Sequence, residues 1–154
     1  WRCAGMADGQ RFKAVQVGGP LGGILPEILL DTPLDFEAMA RAKGILGHAG
    51  VVVYSQEDNL VEICRGLMHF CAVESCGKCF PCRIGTQRLT ERLGGFHGPT
   101  DPSTWMAEVA DLGRTMKSIS ACGLGMAAPL ITESLMKYFP DQVIEHVEQQ
   151  RETA

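Results

Sequence analysis

The sequence contains no basic run and no arginine-rich stripe, so it lacks the electrostatic footprint of a nucleic-acid binder. No apolar run approaches the ~20 residues that a membrane span needs, so direct membrane insertion is not expected. The opening residues, Trp1-Arg2-Cys3, do not place a basic stretch before an apolar one, and no signal peptide is read there. An initiator methionine is also missing, and the chain is expected to be a fragment or a processed product. There is no Ser-His-Asp order, no HExxH and no P-loop. Gly18-Gly19-Pro20-Leu21-Gly22-Gly23 looks like a phosphate loop only superficially, because no GxGxxG opens a helix. Internal repeats and low-complexity segments are absent. His48 and His69 are isolated, and His97 and His146 stand in polar surroundings and are expected to be exposed. No residue reads as a catalytic acid, base or nucleophile.

What is present in quantity is apolar residue and cysteine. A hydrophobic fraction of 45% with a formal charge of −4 over 154 residues describes a globular chain, one ordinary domain or two small ones. Seven cysteines is a high and odd number, and four of them fall between Cys71 and Cys82. A secreted disulfide scaffold is usually shorter and more evenly stapled. Clustered cysteines without an export signal point to metal in a reducing compartment, and the expected location is the cytoplasm.

The chain divides near residue 57. Before it, Arg11–Val17 reads as a strand ending at the turn Gly18-Gly19-Pro20. Gly22-Gly23 and Pro26 are expected to keep the next stretch irregular. Asp35 caps a predicted helix from Phe36 to Lys43 that Gly44 closes. Val51–Ser55 is a β-branched run expected to form a buried strand. So few strands make a poor sheet alone, which implies that part of it lies upstream.

After it, the apolar period becomes helical. Leu60, Ile63, Cys64, Leu67 and Cys71 follow an Asp58 cap. A helix is predicted from about Arg83 to Leu93, stopped by Gly94-Gly95. Asp101-Pro102 opens another, carrying Trp105, Val109, Leu112, Met116 and Ile119. Pro129 begins a last long helix bearing Ile131, Leu135 and Tyr138. Pro140 breaks it, leaving Asp141 to cap a frayed terminal helix. The fold class expected is α+β, with residues 58–154 as a bundle of four helices.

Cys76-x-x-Cys79-x-x-Cys82 places three thiols in seven residues, and Cys122 lies forty residues further on between small residues, near Gly123 and Gly125. Three ligands on one loop and a fourth from a distance is an iron–sulfur pattern. The two intervening helices carry the chain out and back, so both loops are expected at one end of the bundle. Pro81 fixes φ where the loop enters the next helix, and Gly77 permits positive φ. Lys78 and Arg83 either offset cluster charge or are solvated surface cations. Zinc is the competing reading, as a non-enzymatic, zinc-stabilised docking module, although Cys₄ zinc sites usually pair two C-x₂-C knuckles. Cys64 and Cys71 fall on an apolar helix stripe and read as core. Cys3 carries no signal.

Glu74-Ser75-Cys76-Gly77-Lys78-Cys79-Phe80-Pro81-Cys82-Arg83-Ile84-Gly85 resembles the iron–sulfur signature of the flavin- and NADH-binding subunit of respiratory NADH dehydrogenase and its relatives. Ser120-Ala121-Cys122-Gly123-Leu124-Gly125 resembles the family's second signature, which carries the fourth ligand. The segments KAVQVGGPLGG, DTPLDFEAMARAKGILGHAGVVVY and FCAVESCGKC look most like the beta subunit of NAD-dependent formate dehydrogenase, with NAD-reducing hydrogenase a near relative. The resemblance implies that residues 1–57 are the C-terminal part of a β-grasp domain of the soluble-ligand-binding type. It implies that residues 58–154 hold one [4Fe–4S] cluster through Cys76, Cys79, Cys82 and Cys122. FMN and NAD are then expected only in an N-terminal domain absent from this sequence. Implied partners are a small ferredoxin-like [2Fe–2S] subunit and a large iron–sulfur or molybdenum subunit.

Overall fold

The computed structural model describes residue 6 and residues 9–95 and 101–153. Cys3 and His97 lie outside the described residues.

Three antiparallel strands form one small sheet in the order β2-β1-β3: β1 is Phe12–Val17, β2 is Ile24–Pro26 and β3 is Val51–Ser55. β1 and β3 were expected, but β3 is not a buried strand throughout: Tyr54 and Ser55 are covered, whereas Val51 and Val52 lie exposed. β2 was not expected, because its glycines and proline suggested irregular chain. The backbone groups on that side of β1 still need partners. Ile24 and Leu25 supply them, paired with Gln16 and Val15, and Pro26 stands at the strand's end where a missing N–H is tolerated. Gly22 and Gly23 permit the tight return. A Cβ on Gly22 would strike the carbonyl of Val17, and one on Gly23 the carbonyl of Lys43.

Both faces of β1 are covered, which is why its sequence is apolar nearly throughout. Phe12, Val15 and Val17 pack with Leu25 under Met39 and Ala42. These last two come from α1 (Phe36–Arg41) and its C-cap. Asp35 caps α1 as expected, accepting the Ala38 N–H at 2.7 Å. The helix stops earlier than predicted, because Lys43 itself takes φ 57°. The N–H groups of Lys43 and Gly44 then close a C-terminal motif on the Ala40 and Met39 carbonyls. The opposite face of the sheet, through Ala14, Ile24 and Tyr54, joins the main helical core. Gln16 is buried on that face, where it accepts the Tyr54 hydroxyl and donates to the Gly22 carbonyl.

Six further helices follow: α2 (Leu60–Glu74), α3 (Phe80–Leu93), α4 (Pro102–Ile119), the short α5 (Gly123–Ala127), α6 (Leu130–Tyr138) and α7 (Pro140–Thr153). Helices α2, α3, α4 and α6 pack as a closed ring, each against two of the others, and α7 lies against α2, α4 and α6. The architecture is thus mixed α/β with a small sheet and mostly helices, and α5 and α7 exceed the four helices expected. α7 is more than a frayed end, since Val143 and Val147 are fully buried in the core. Pro140 opens it, at a position where a missing N–H costs nothing. α6 is correspondingly short, nine residues.

Two caps differ from expectation. Asn59 caps α2, its Oδ1 accepting the Val61 and Glu62 N–H groups at 3.0 and 3.2 Å. Asp58 instead accepts the Ser55 N–H and ties off β3. Asp101 caps α4 as predicted. On α4, Trp105, Val109 and Met116 are buried, but Ile119 is 65% exposed and Leu112 only partly covered. The inward position between them belongs to Gly113, where a Cβ would stand 3.2 Å from Pro129 Cβ.

Candidate metal centre

The first cysteine loop begins where α2 ends. Ser75 leaves the helix in an extended conformation and Gly77 turns the chain at φ 73°. Cys79 then stands as the N-cap of α3, with its carbonyl accepting the Arg83 N–H at 3.1 Å. The helix starts at Phe80, three residues before the prediction, so Cys82 sits inside its first turn and is only 4% exposed. Pro81 occupies that same turn without loss of a bond. Arg83 folds back over the loop, with its guanidinium 5.6 Å from the Phe80 ring centroid and Nη1 donating to the Gly77 carbonyl at 3.4 Å.

The second loop forms where α4 ends at Ser120. Cys122 has extended backbone and is the N-cap of α5, and its carbonyl accepts the Met126 N–H. α5, which the sequence pattern did not reveal, packs against α3 and α4. It places Gly125 directly on Cys82, where a Cβ would lie 2.8 Å from Cys82 Cβ and collide with Ser120. Gly123, by contrast, faces open space. Of the two glycines noted beside Cys122, only Gly125 serves a close approach.

The loops meet. The backbone N–H of Ala121 reaches the Cys79 sulfur, and with the Cys82 N–H it holds the Cys79 thiol below its usual pKa. Burial pushes the Cys82 thiol up. The charges of Cys79, Cys122 and Cys76 act in the same direction, opposed by a hydrogen bond from Ser75. All four predicted cysteines therefore occupy one electrostatic neighbourhood, with Cys76 and Cys122 exposed, Cys79 half-buried and Cys82 buried. Among the described residues, no three His, Cys, Asp or Glu side chains converge on a single ion position.

The two other described cysteines behave as core. Cys64 and Cys71 are fully buried on α2, and burial raises both thiols, Cys71 to about 12. His146 differs from its exposed expectation: it is partly buried, with Nε2 3.0 Å from the Leu93 carbonyl at the C-terminus of α3. Sequence reasoning missed Ser75, whose hydroxyl contacts the Cys82 sulfur, and Ser120, which packs with Cys82 around Gly125. The signal for them was their position beside the cysteines at two helix ends. No helix among the described residues is long and apolar enough to cross a membrane.

Residues 62–146 match the family model of the NADH-ubiquinone oxidoreductase-F iron-sulfur binding region, and the chain belongs to that family. The family's cofactor is a [4Fe–4S] cluster. Among particular relatives, the chain is similar to the NADP-reducing hydrogenase subunit HndC of Solidesulfovibrio fructosivorans, 37% identical over 96% of this chain and 30% of that protein. It is similar also to an NADH-quinone oxidoreductase subunit of Escherichia coli (strain K12), 36% identical over 90% of this chain and 31% of that protein. The chain thus spans about a third of the length of these relatives. A crystal structure of NAD+-reducing [NiFe]-hydrogenase in the H2-reduced state superposes with a TM-score of 0.76 at 30% identity, covering 88% of this chain and 23% of that one.

Proposed function

We propose that this chain is the electron-relay portion of an NAD-linked flavo-iron–sulfur oxidoreductase subunit, with Cys76, Cys79, Cys82 and Cys122 as the four ligands of its [4Fe–4S] cluster. The observation that carries the reading is the meeting of the two cysteine loops, with Gly125 of the second packed against Cys82 and with Cys76, Cys79 and Cys122 all near enough to act on the Cys82 thiol. Four thiolates are the donor set that such a cluster takes. Gly125 adds to the fit, because its missing side chain lets the second loop lie directly on Cys82. When bound, the cluster supplies one-electron acceptance and release.

The protein's own contribution is ligation, partial burial and charge. Cys82 anchors the ligand set from a buried helical turn, while Cys76 and Cys122 leave one side open toward solvent or a partner. Arg83, held over the loop, places a cation beside a site that becomes more negative on reduction. Residues 1–57 serve as the C-terminal part of a β-grasp unit, and 58–154, built on the ring of α2, α3, α4 and α6, as a four-helix cluster domain. FMN and NAD belong to the part of the subunit that precedes this chain. The partners are other redox subunits, a [2Fe–2S] ferredoxin-like one and a larger iron–sulfur or molybdenum one, in the cytoplasm. The particular parent is NAD-dependent formate dehydrogenase, on the residue resemblance of KAVQVGGPLGG and FCAVESCGKC. NAD-reducing hydrogenase and NADH:quinone oxidoreductase are the alternatives, on the relatives named above.

Anaerobic purification followed by iron and sulfide analysis, with EPR on the dithionite-reduced sample, tests the reading. About four irons per chain and a reduced S = ½ signal support it. One zinc per chain in a colourless, EPR-silent protein refutes it. The copurifying subunits identify the parent complex.

A further inference from the structure

Cys82 differs from the other three cysteines in its surroundings. It is the buried one, the Ser75 hydroxyl contacts its sulfur, and Ser120 packs with it around Gly125. Ser75 Oγ lies 3.3 Å from Cys82 Sγ, and the same oxygen accepts the Gly77 N–H at 3.3 Å. In the free thiol either partner of the Ser75–Cys82 pair has a hydrogen to give. A ligating cysteine is a thiolate and has none, so there the hydroxyl must be the donor. The Gly77 N–H occupies one lone pair of Ser75 Oγ and leaves its hydrogen free for the sulfur.

Ser120 is the C-cap of α4. Its Oγ is buried and has no hydrogen-bond partner among the described residues. Ser120 Oγ and Cys82 Cβ both crowd the point where a side chain on Gly125 would begin. A buried hydroxyl without a partner is costly and calls for an acceptor. A cluster held by Cys82 would bring thiolate and sulfide acceptors into this region.

We propose that Ser75 and Ser120 are potential-setting positioning residues, whose hydroxyls donate hydrogen bonds to the cluster's sulfurs at the Cys82 corner and raise its reduction potential. The inference rests on the cluster reading above. Its physical basis is that reduction adds negative charge to the sulfurs, so a fixed donor stabilises the reduced form more than the oxidised one.

The test is a redox titration followed by EPR on the natively assembled protein, comparing wild type with Ser75→Ala, Ser75→Thr and Ser120→Ala. Iron and sulfide are measured on every sample. The expected result is full cluster content with a more negative midpoint in both alanine variants. The reduction equilibrium constant is expected to fall by up to about tenfold, or 59 mV for a one-electron couple. Ser75→Thr, which keeps the hydroxyl, is expected to titrate close to wild type. If Ser75→Ala assembles no cluster, Ser75→Gly is read in its place. A native midpoint in the Ser75 variant with its cluster complete overturns the proposal and leaves the cluster reading intact. A native midpoint in Ser120→Ala removes that serine from the device. Wild-type protein without iron, in contrast, defeats the underlying reading itself.

Discussion

A Cβ placed on Gly125 would stand 2.8 Å from the Cβ of Cys82, although 43 residues separate the two in the chain. The contact joins α5 to the first turn of α3 and brings the second cysteine loop onto the first. Gly125→Ala must therefore push the loops apart by shifting backbone, since neither neighbour is the far end of a flexible chain. Overpacking of this kind costs about 1–3 kcal/mol. The expected outcome is lower iron content per chain and a lowered melting temperature, checked by metal analysis and calorimetry. Gly123→Ala, which meets nothing within 4 Å, is expected to keep its iron.

Cysteine substitutions are expected to separate into two classes. Cys76→Ala and Cys122→Ala change exposed residues and leave no core cavity. Their predicted effect is loss of cluster assembly, followed by reduced stability of the helical half because ligation supports the fold. Cys64→Ala lies in the core, fully buried, and is predicted to keep its iron while losing stability, by about 1 kcal/mol or somewhat more. Iron analysis beside a denaturant titration distinguishes the classes. Full iron in Cys122→Ala would remove that residue from the ligand set.

Legibility followed the range of the interaction. The cysteine spacing, the Asp35 and Asp101 caps, and strands β1 and β3 are carried by neighbouring residues and were read from the sequence. The elements that were missed or underestimated depend on distant partners. Strand β2 exists because β1 offers an unpaired edge, and α7 is ordered because Val143 and Val147 reach a core that earlier helices build. Asn59 and Asp58 are adjacent and equally able to cap, and only the Ser55 N–H decides between them. Ile119 continues an apolar period yet projects outward, because the helix face turns inward at Gly113 to meet Pro129. At the candidate site the loops could be named in advance, whereas the packing of Gly125 and Ser120 around Cys82 depends on how α5 docks.

Asp101 supplies a pH-dependent contribution with a defined sign. The Ser103 hydroxyl, then the Thr104 hydroxyl and N–H, bond its carboxylate and hold its pKa well below the usual carboxylate range. A depressed native pKa means the stabilisation is full above the unfolded value of about 3.9 and is lost as pH falls through the lower native value. The melting-temperature gap between wild type and Asp101→Ala is thus expected to be constant from neutral to mildly acid pH. It should close only in strong acid, as thermal scans across that range would reveal. A gap that instead closes between pH 7 and 5 would assign the cap's effect to some other group.

Ser134 joins the sheet to the helices through a single oxygen. Its fully buried Oγ accepts the Ile24 N–H at 2.9 Å, across 110 residues of chain, and donates to the Ile131 carbonyl at 3.1 Å. Ser134→Ala leaves the Ile24 N–H buried and without this partner, a loss expected to cost about 1–3 kcal/mol. Thr132, buried two residues earlier on α6, offers the control. Its hydroxyl donates only to the Pro129 carbonyl of its own helix end, so Thr132→Val strands no backbone donor and is expected to cost less. Hydrogen exchange adds the spatial readout. In Ser134→Ala the amides of β1 and β2 should lose protection while those of α2 and α3 retain it, because the helical ring closes without the sheet. Equal loss of protection in strands and helices would mean that Ser134 supports the whole core and not the joint alone.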